Sequence, residues 1–375
     1  MTNNNFSQVA FMPFAKAKTE FKISGISFWP FGDKQNEYIQ DTKIRDRLNK
    51  IFETYITTCG QKIDSFTIAS TGIIDFHRFS QAEIDSLEQA KYILSFICIE
   101  KNNKRRFEPR EKKGSYVNWC TADNFEIVFQ NFELEKDFIA PRSGAIHSIT
   151  DCIPLEGAKF TLPTWINNHF VIDYDPSLLS ALELCLDMRD SNPDCQKIIR
   201  SLEWFYDAYK NSHDVSHKTR IIMLSTAFET LLDLDDNVKY GKKGDFCIKI
   251  DGLFGNKEKP ETKKLTIIKT KKGTATENLT EKQRWAVNFY ELRSDIVHGD
   301  EIPVQRLYYG NKLRHFDVAE LFFIMSVKKK LEIIPECNFT SYDEIVVGDS
   351  GNFEFKNGTF KAVAVKVLER LNKSA

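Results

Sequence analysis

The spacing of hydrophobic positions changes near residue 175. Before it, short alternating runs of the strand type are mixed with two runs of helical spacing; after it, a 3.6-residue period dominates. In the first part "TEFKISGISFWP" alternates like a strand and is expected to end at Pro30. "DTKIRDRLNKIFETYI" predicts a helix capped by Asp41, with Ile44, Leu48, Ile51 and Phe52 as its apolar stripe. "SQAEIDSLEQAKYILSFICIE" opens with Ser80 and Glu83 at capping-box spacing and continues as a helix. "DSFTIAS", "GSYVNWC" and "NFEIVFQNFEL" are rich in β-branched or aromatic residues and read as strands. Residues 1–172 are therefore expected to form a mixed α/β module of undetermined topology.

Five helical stretches follow. "PSLLSALELCLDMRD" stops before Asn192-Pro193, and the next helix carries Ile198, Leu202, Phe205 and Tyr209 on one face. The third aligns Ile221, Leu224, Phe228 and Leu231, and the fourth aligns Trp285, Phe289, Leu292 and Ile296. "RHFDVAELFFIMSVKKKLEII" closes the set with lysines that suit the negative end of a helix dipole. With little strand signal between them, residues 173–337 are expected to form an all-α bundle. Residues 338–375 return to β character, with Asn357-Gly358 as a hairpin turn and a short helix after it. The fold class expected is α+β.

Composition narrows the picture. The chain has 375 residues, 42% hydrophobic and 28% charged, with a formal net charge of −1. No global field directs it to nucleic acid, so any such affinity must be local. No run approaches a membrane helix, and "MTNNNFSQVAFMPF" lacks the basic and apolar regions of a signal peptide. The eight cysteines form no C-x-x-C pair and no zinc spacing with histidine. Free thiols in a reducing cytoplasm are expected, with no metal and no cofactor.

The chemistry gathers in "NFYELRSDIVHGD". Arg293 and His298 lie near the end of the fourth helix, with Gly299 placed as a helix terminator. Five residues along a helix turn by about 140° and rise about 7.5 Å, so the two share no face unless the last turn loosens or a second chain supplies its own copy. The plainer account is a solvated arginine and a histidine stabilised by the helix dipole. "PRSGAIH" places Arg142 and His147 at the same spacing between strand-like segments, and serves as an internal control.

"AFETLL", from Ala227 to Leu232, on one helix and "ELRSDIVHG" on a later one resemble the Apea-like branch of the HEPN superfamily. The motif of arginine, polar residue and histidine falls on Arg293, Ser294 and His298; serine stands where asparagine is common. The resemblance spans about residues 175–335. It implies a metal-independent endoribonuclease acting as a homodimer or higher homo-oligomer, in anti-phage defence by abortive infection. Histidine titrates near neutrality and serves as acid or base, and arginine offers a charged fork to phosphate. Ser294 would orient the phosphate or His298. Glu229 would hold Arg293 across the helix pair, or is a surface charge beside core residues. The first module would sense a phage-derived trigger. A competing class is a non-catalytic dimerisation, nucleotide- or RNA-binding module in which the first module does the recognition.

RNA, with tRNA and mRNA as candidates, needs cationic contacts. The segment from Lys239 to Gly273 is dense in lysine, and Lys242, Lys243, Lys263, Lys264, Lys271 and Lys272 are its candidate phosphate contacts. The same segment also reads as a solvated loop. "KNNKRRFEPREKKG" (101 to 114) is a second basic run, read as a loop. "SFWPFGD" is read as the plug of a small core, and "DLDDN" as a helix terminus, because it lacks the glycine and glutamate of a calcium loop.

Overall fold

The computed structural model describes residues 7–32, 39–57, 59–63, 65–71, 77–106, 120–135, 137–142, 153–161, 170–210, 215–255, 261–270, 273–310, 313–341, 344–347 and 353–356. The protein is mixed α/β and divides into two compact units. The first comprises Met1–Ile99, Asn118–Asp175 and Lys210–Ser212; the second comprises Glu100–Val117, Pro176–Tyr209 and His213–Ala375.

The first unit is built on a seven-stranded antiparallel sheet. In chain order its strands are β1 (Ser7–Met12), β3 (Phe21–Ile23), β4 (Ile26–Gly32), β6 (Ser65–Ser70), β7 (Val128–Phe132), β8 (Phe138–Arg142) and β9 (Ile153–Pro154). Their spatial order is β3-β4-β6-β1-β7-β8-β9. Two-residue parallel pairs join β2 (Ala15–Lys16) to β11 (Phe170–Val171) and β5 (Tyr55–Ile56) to β10 (Phe160–Thr161). β1 lies at the centre of the sheet. Its residues from Gln8 to Met12 are all buried, so it shows no alternation.

The stretch read as one strand ending at Pro30 is a hairpin. Ser24 and Gly25 both take positive φ, 43° and 85°, as a two-residue turn demands. β4 then runs through Pro30, opposite Thr67, to Gly32. β3 pairs only with Ile26–Phe28, so at Pro30 that side of β4 has no β3 partner and the missing N–H disrupts nothing there. Phe28, Trp29 and Phe31 are buried, as expected of a core plug. α1 (Thr42–Phe52) is capped by Asp41, whose side chain accepts from the Lys43 and Ile44 N–H groups. It contributes Leu48, Ile51 and Phe52 to a core in which Phe11 meets Phe52, Tyr55 and Phe66 edge-on.

α2 (Gln81–Arg106) starts at the expected capping box. The Ser80 N–H donates to Glu83 at 2.7 Å and the Glu83 N–H to Ser80 Oγ at 3.3 Å. The helix continues beyond Glu100 into the basic run read as a loop, whose residues 101–106 are helical and whose Asn102 and Asn103 are buried.

The second unit holds the five expected helices: α3 (Pro176–Asp187), α4 (Pro193–Ala208), α5 (His217–Leu232), α7 (Glu281–Val297) and α8 (His315–Ile333). Its aromatic core centres on Phe228, which meets Phe246, Trp285, Phe289 and Phe323. The unit is not all-α. The lysine-rich segment read as a loop forms α6 (Gly241–Phe254) and β12 (Lys264–Thr270), which pairs antiparallel with β13 (Gly273–Leu279). Phe246 and Ile250 anchor α6, while Ile268 and Leu279 of the ribbon pack with Cys247 and Val287. A short pair, β14 (Tyr308–Tyr309) and β15 (Leu313–Arg314), precedes α8. The α8 lysine run is not wholly solvated: Lys328 is buried and pairs with buried Glu100 at 2.5 Å, leaving Lys330 in the last turn.

β16 (Glu344–Val347) and β17 (Phe353–Lys356) form an antiparallel pair, so the described partner of "FEFK" lies upstream. The Asn357-Gly358 turn, the helix expected after it, and the strand expected over 114–119 lie outside the described residues. "DLDDN" ends α5, with Asp233 as a left-handed C-cap. Among the described residues every cysteine is free, no group of metal-ligating side chains converges, and no helix is long and apolar enough to cross a membrane.

Candidate functional site

α7 carries the arginine and the histidine. Thr280 and Gln283 form a full capping box at its start, and Trp285, Phe289 and Leu292 seat it in the core. That leaves Tyr290 and Arg293, three residues apart, on a common outer face. The helix ends as a Schellman motif. The Gly299 N–H donates to Ile296 O at 3.2 Å and the Asp300 N–H to Asp295 O at 3.0 Å, with Gly299 at φ 78°. His298 is the C-cap residue, its N–H donating to Ser294 O at 3.0 Å, and its side chain is exposed. Ser294 is half-buried.

Arg293 does not project freely. Its Nη2 stands 3.1 Å from Glu229 Oε1 on α5, and its guanidinium lies 5.6 Å from the centre of the Tyr290 ring. The Glu229 side chain is only 14% exposed. It also accepts the Tyr290 hydroxyl at 2.9 Å and Lys242 Nζ at 2.8 Å. Burial, then the charge and hydrogen bond of Glu229, push the Tyr290 phenol well above its ordinary range, so it keeps its proton and acts as a donor. Among the described residues no hydrogen bond or ion pair joins Arg293 to His298, in keeping with their angular separation on one helix.

The lysines expected to meet RNA divide. Lys242 is engaged by Glu229. Lys243, mostly buried, binds Glu291 at 2.9 Å and the carbonyl of Lys269. Lys263 and Lys264 are exposed at the start of the ribbon, and Lys271 and Lys272 lie outside the described residues. Of the control pair, Arg142 ends β8 and His147 lies outside the described residues.

The start of α6 is tightly built. A Cβ on Gly244 would sit 1.8 Å from the carbonyl oxygen of Lys239, so no larger residue fits, and the Lys242 N–H donates to Asp236 Oδ1 at 3.3 Å. Lys242 and Tyr290 were not expected as partners of Glu229. Tyr290 was legible as the i−3 neighbour of Arg293. α6 was legible from Phe246, Ile250 and Phe254 at four-residue spacing, a signal masked by the lysines around it.

Beyond the Schellman turn, Arg306 binds Asp295 at 2.6 Å and ties the following loop to α7. Val297 and Val304 are exposed. Neither a family model, nor a curated protein, nor a solved structure matches this chain.

Proposed function

We propose that the chain is a metal-independent endoribonuclease of HEPN type, acting on RNA as a dimer. The observation that supports this most is Arg293, oriented on its outer face by Glu229 and Tyr290, five residues before an exposed histidine at a helix end. In this reading the substrate's 2′-oxygen attacks the neighbouring phosphorus, forming a 2′,3′-cyclic phosphate as the bond to the 5′-oxygen breaks. His298 takes the hydroxyl proton or returns one to the leaving oxygen. Arg293 faces the charge growing on the phosphate oxygens, and Ser294 orients the phosphate or His298.

Two α7 helices side by side would gather two such pairs in one cleft. Exposed Val297 puts one apolar side chain at the end of α7 that a second copy would cover. Lys263 and Lys264 would add sequence-blind phosphate contacts. Action in the cytoplasm, anti-phage defence and triggering through the first unit complete the proposal on the strength of the family resemblance.

One observation favours a second reading. Arg293 is already paired with Glu229, as in an ordinary cross-tie between helices. The chain would then be a non-catalytic dimerisation, nucleotide- or RNA-binding module.

The deciding experiment is RNA cleavage by purified protein without added metal and in EDTA. Wild type is compared with Arg293→Ala, His298→Ala and the control His147→Ala, each checked by circular dichroism. Nuclease action requires loss of about 10²- to 10⁴-fold in the first two, an active control and no effect of EDTA. Equal cleavage by all four, or none by any, supports the binding module.

A further inference from the structure

Glu229 serves two cations at once. Lys242 Nζ holds Oε2 at 2.8 Å, while Arg293 Nη2 and the Tyr290 hydroxyl hold Oε1 at 3.1 and 2.9 Å. The carboxylate is largely enclosed, so it requires a counter-charge wherever Arg293 points. An arginine that meets a phosphate must turn donors toward it. Were Arg293 the only partner, that turn would strand a buried carboxylate, and the arginine would be held back from its substrate.

Lys242 removes that conflict. It comes from α6, its backbone N–H is held by Asp236, and the glycine two residues on allows the close approach of the Lys239 carbonyl. Two cations against one carboxylate leave the trio with one net positive charge, directed at the charge that grows on the phosphate oxygens as the reaction proceeds.

We infer that Lys242 is a positioning residue that releases Arg293 to the substrate by keeping Glu229 paired, and that it makes no contact with RNA. The inference rests on the nuclease reading. It reassigns a lysine that composition alone would give to phosphate binding.

Phosphate contact and charge balancing leave different signatures. A lysine that neutralises a phosphate contributes about 0.7 to the salt slope of single-strand binding and acts on KM. A residue that positions the arginine acts on kcat. The test uses the full chain with a fluorescent single-stranded RNA: cleavage kinetics for Lys242→Met, Lys242→Arg and Lys264→Met, and RNA binding across KCl concentrations in the His298→Ala background.

Lys242→Met is expected to lower kcat about ten- to hundredfold, with KM and salt slope unchanged. Lys242→Arg, which keeps the charge, restores most of the rate. Lys264→Met is expected to raise KM and reduce the salt slope. The inference is overturned if Lys242→Met behaves like Lys264→Met, or if it changes nothing.

Should the wild type neither bind nor cleave RNA, the nuclease reading itself fails, and the side-chain Nε–H resonance of Arg293 then carries the test. It is assigned by its loss in Arg293→Lys. A shift in Lys242→Met keeps the coupling through Glu229; no shift removes it.

Discussion

Tyr290 holds Arg293 in two ways: its ring lies beneath the guanidinium, and its hydroxyl donates to the carboxylate oxygen that pairs with Arg293. The two contributions separate by substitution. Tyr290→Phe keeps the ring and is expected to destabilise the protein by about 1 kcal/mol through the lost hydrogen bond. Tyr290→Leu removes both, and is expected to add about 0.5–1 kcal/mol for the lost cation–π contact. Urea midpoints of the two variants check the order, and single-turnover cleavage should fall in the same order.

Stability should depend on His315 below neutral pH. Burial first, then the charge of Arg306, hold its pKa at about 4 against an ordinary 6.5, and its Nδ1 has no hydrogen-bond partner among the described residues. Between those values the unfolded chain binds the proton and the folded one does not. The contribution is therefore fully present above pH 6.5 and lost as pH falls toward 4, by ~3 kcal/mol at most. Thermal melts at pH 7 and pH 4.5 measure the difference. His315→Leu should flatten the slope in that window, and an unchanged slope would place the dependence elsewhere.

The Lys328–Glu100 pair is buried on both sides, at 3% and 1% side-chain exposure. Lys328→Met alone removes the cation that stands 2.5 Å from this buried carboxylate and is expected to cost about 3–5 kcal/mol. Combined with Glu100→Leu, the loss should largely disappear, because both charges leave together. Chemical denaturation of the two singles and the double gives the coupling; simple additivity would show that the pair is not a unit.

Gly244→Ala should disturb the start of α6, since its methyl group would collide with a backbone carbonyl that cannot swing aside. The expected loss is ~1–3 kcal/mol, as for overpacking elsewhere. Faster hydrogen exchange over the first turns of α6, with α7 unchanged, would place the damage there.

The caps and helices were legible because their causes are local. Asp41, and Ser80 with Glu83, act within one turn of the helices they start, and Gly299 takes its conformation from its own backbone. The periodic apolar faces of α3, α4, α5, α7 and α8 are likewise written into neighbouring residues. Arg293 and His298 could be singled out in the same way, by residue type and spacing on α7, and Glu229 through the family resemblance.

Tertiary structure decided the rest. β1 takes the centre of the sheet by pairing with β6 and β7, partners far along the chain that no local pattern names. Lys328 reads as one of a lysine run suited to the helix dipole until Glu100 is seen beside it. Lys242 reads as one lysine among many until α6 folds against α7 and brings it to Glu229. Short-range sterics and hydrogen bonding set each element from its own residues. The partner of a buried charge is set by which elements pack together, and that is a property of the whole chain.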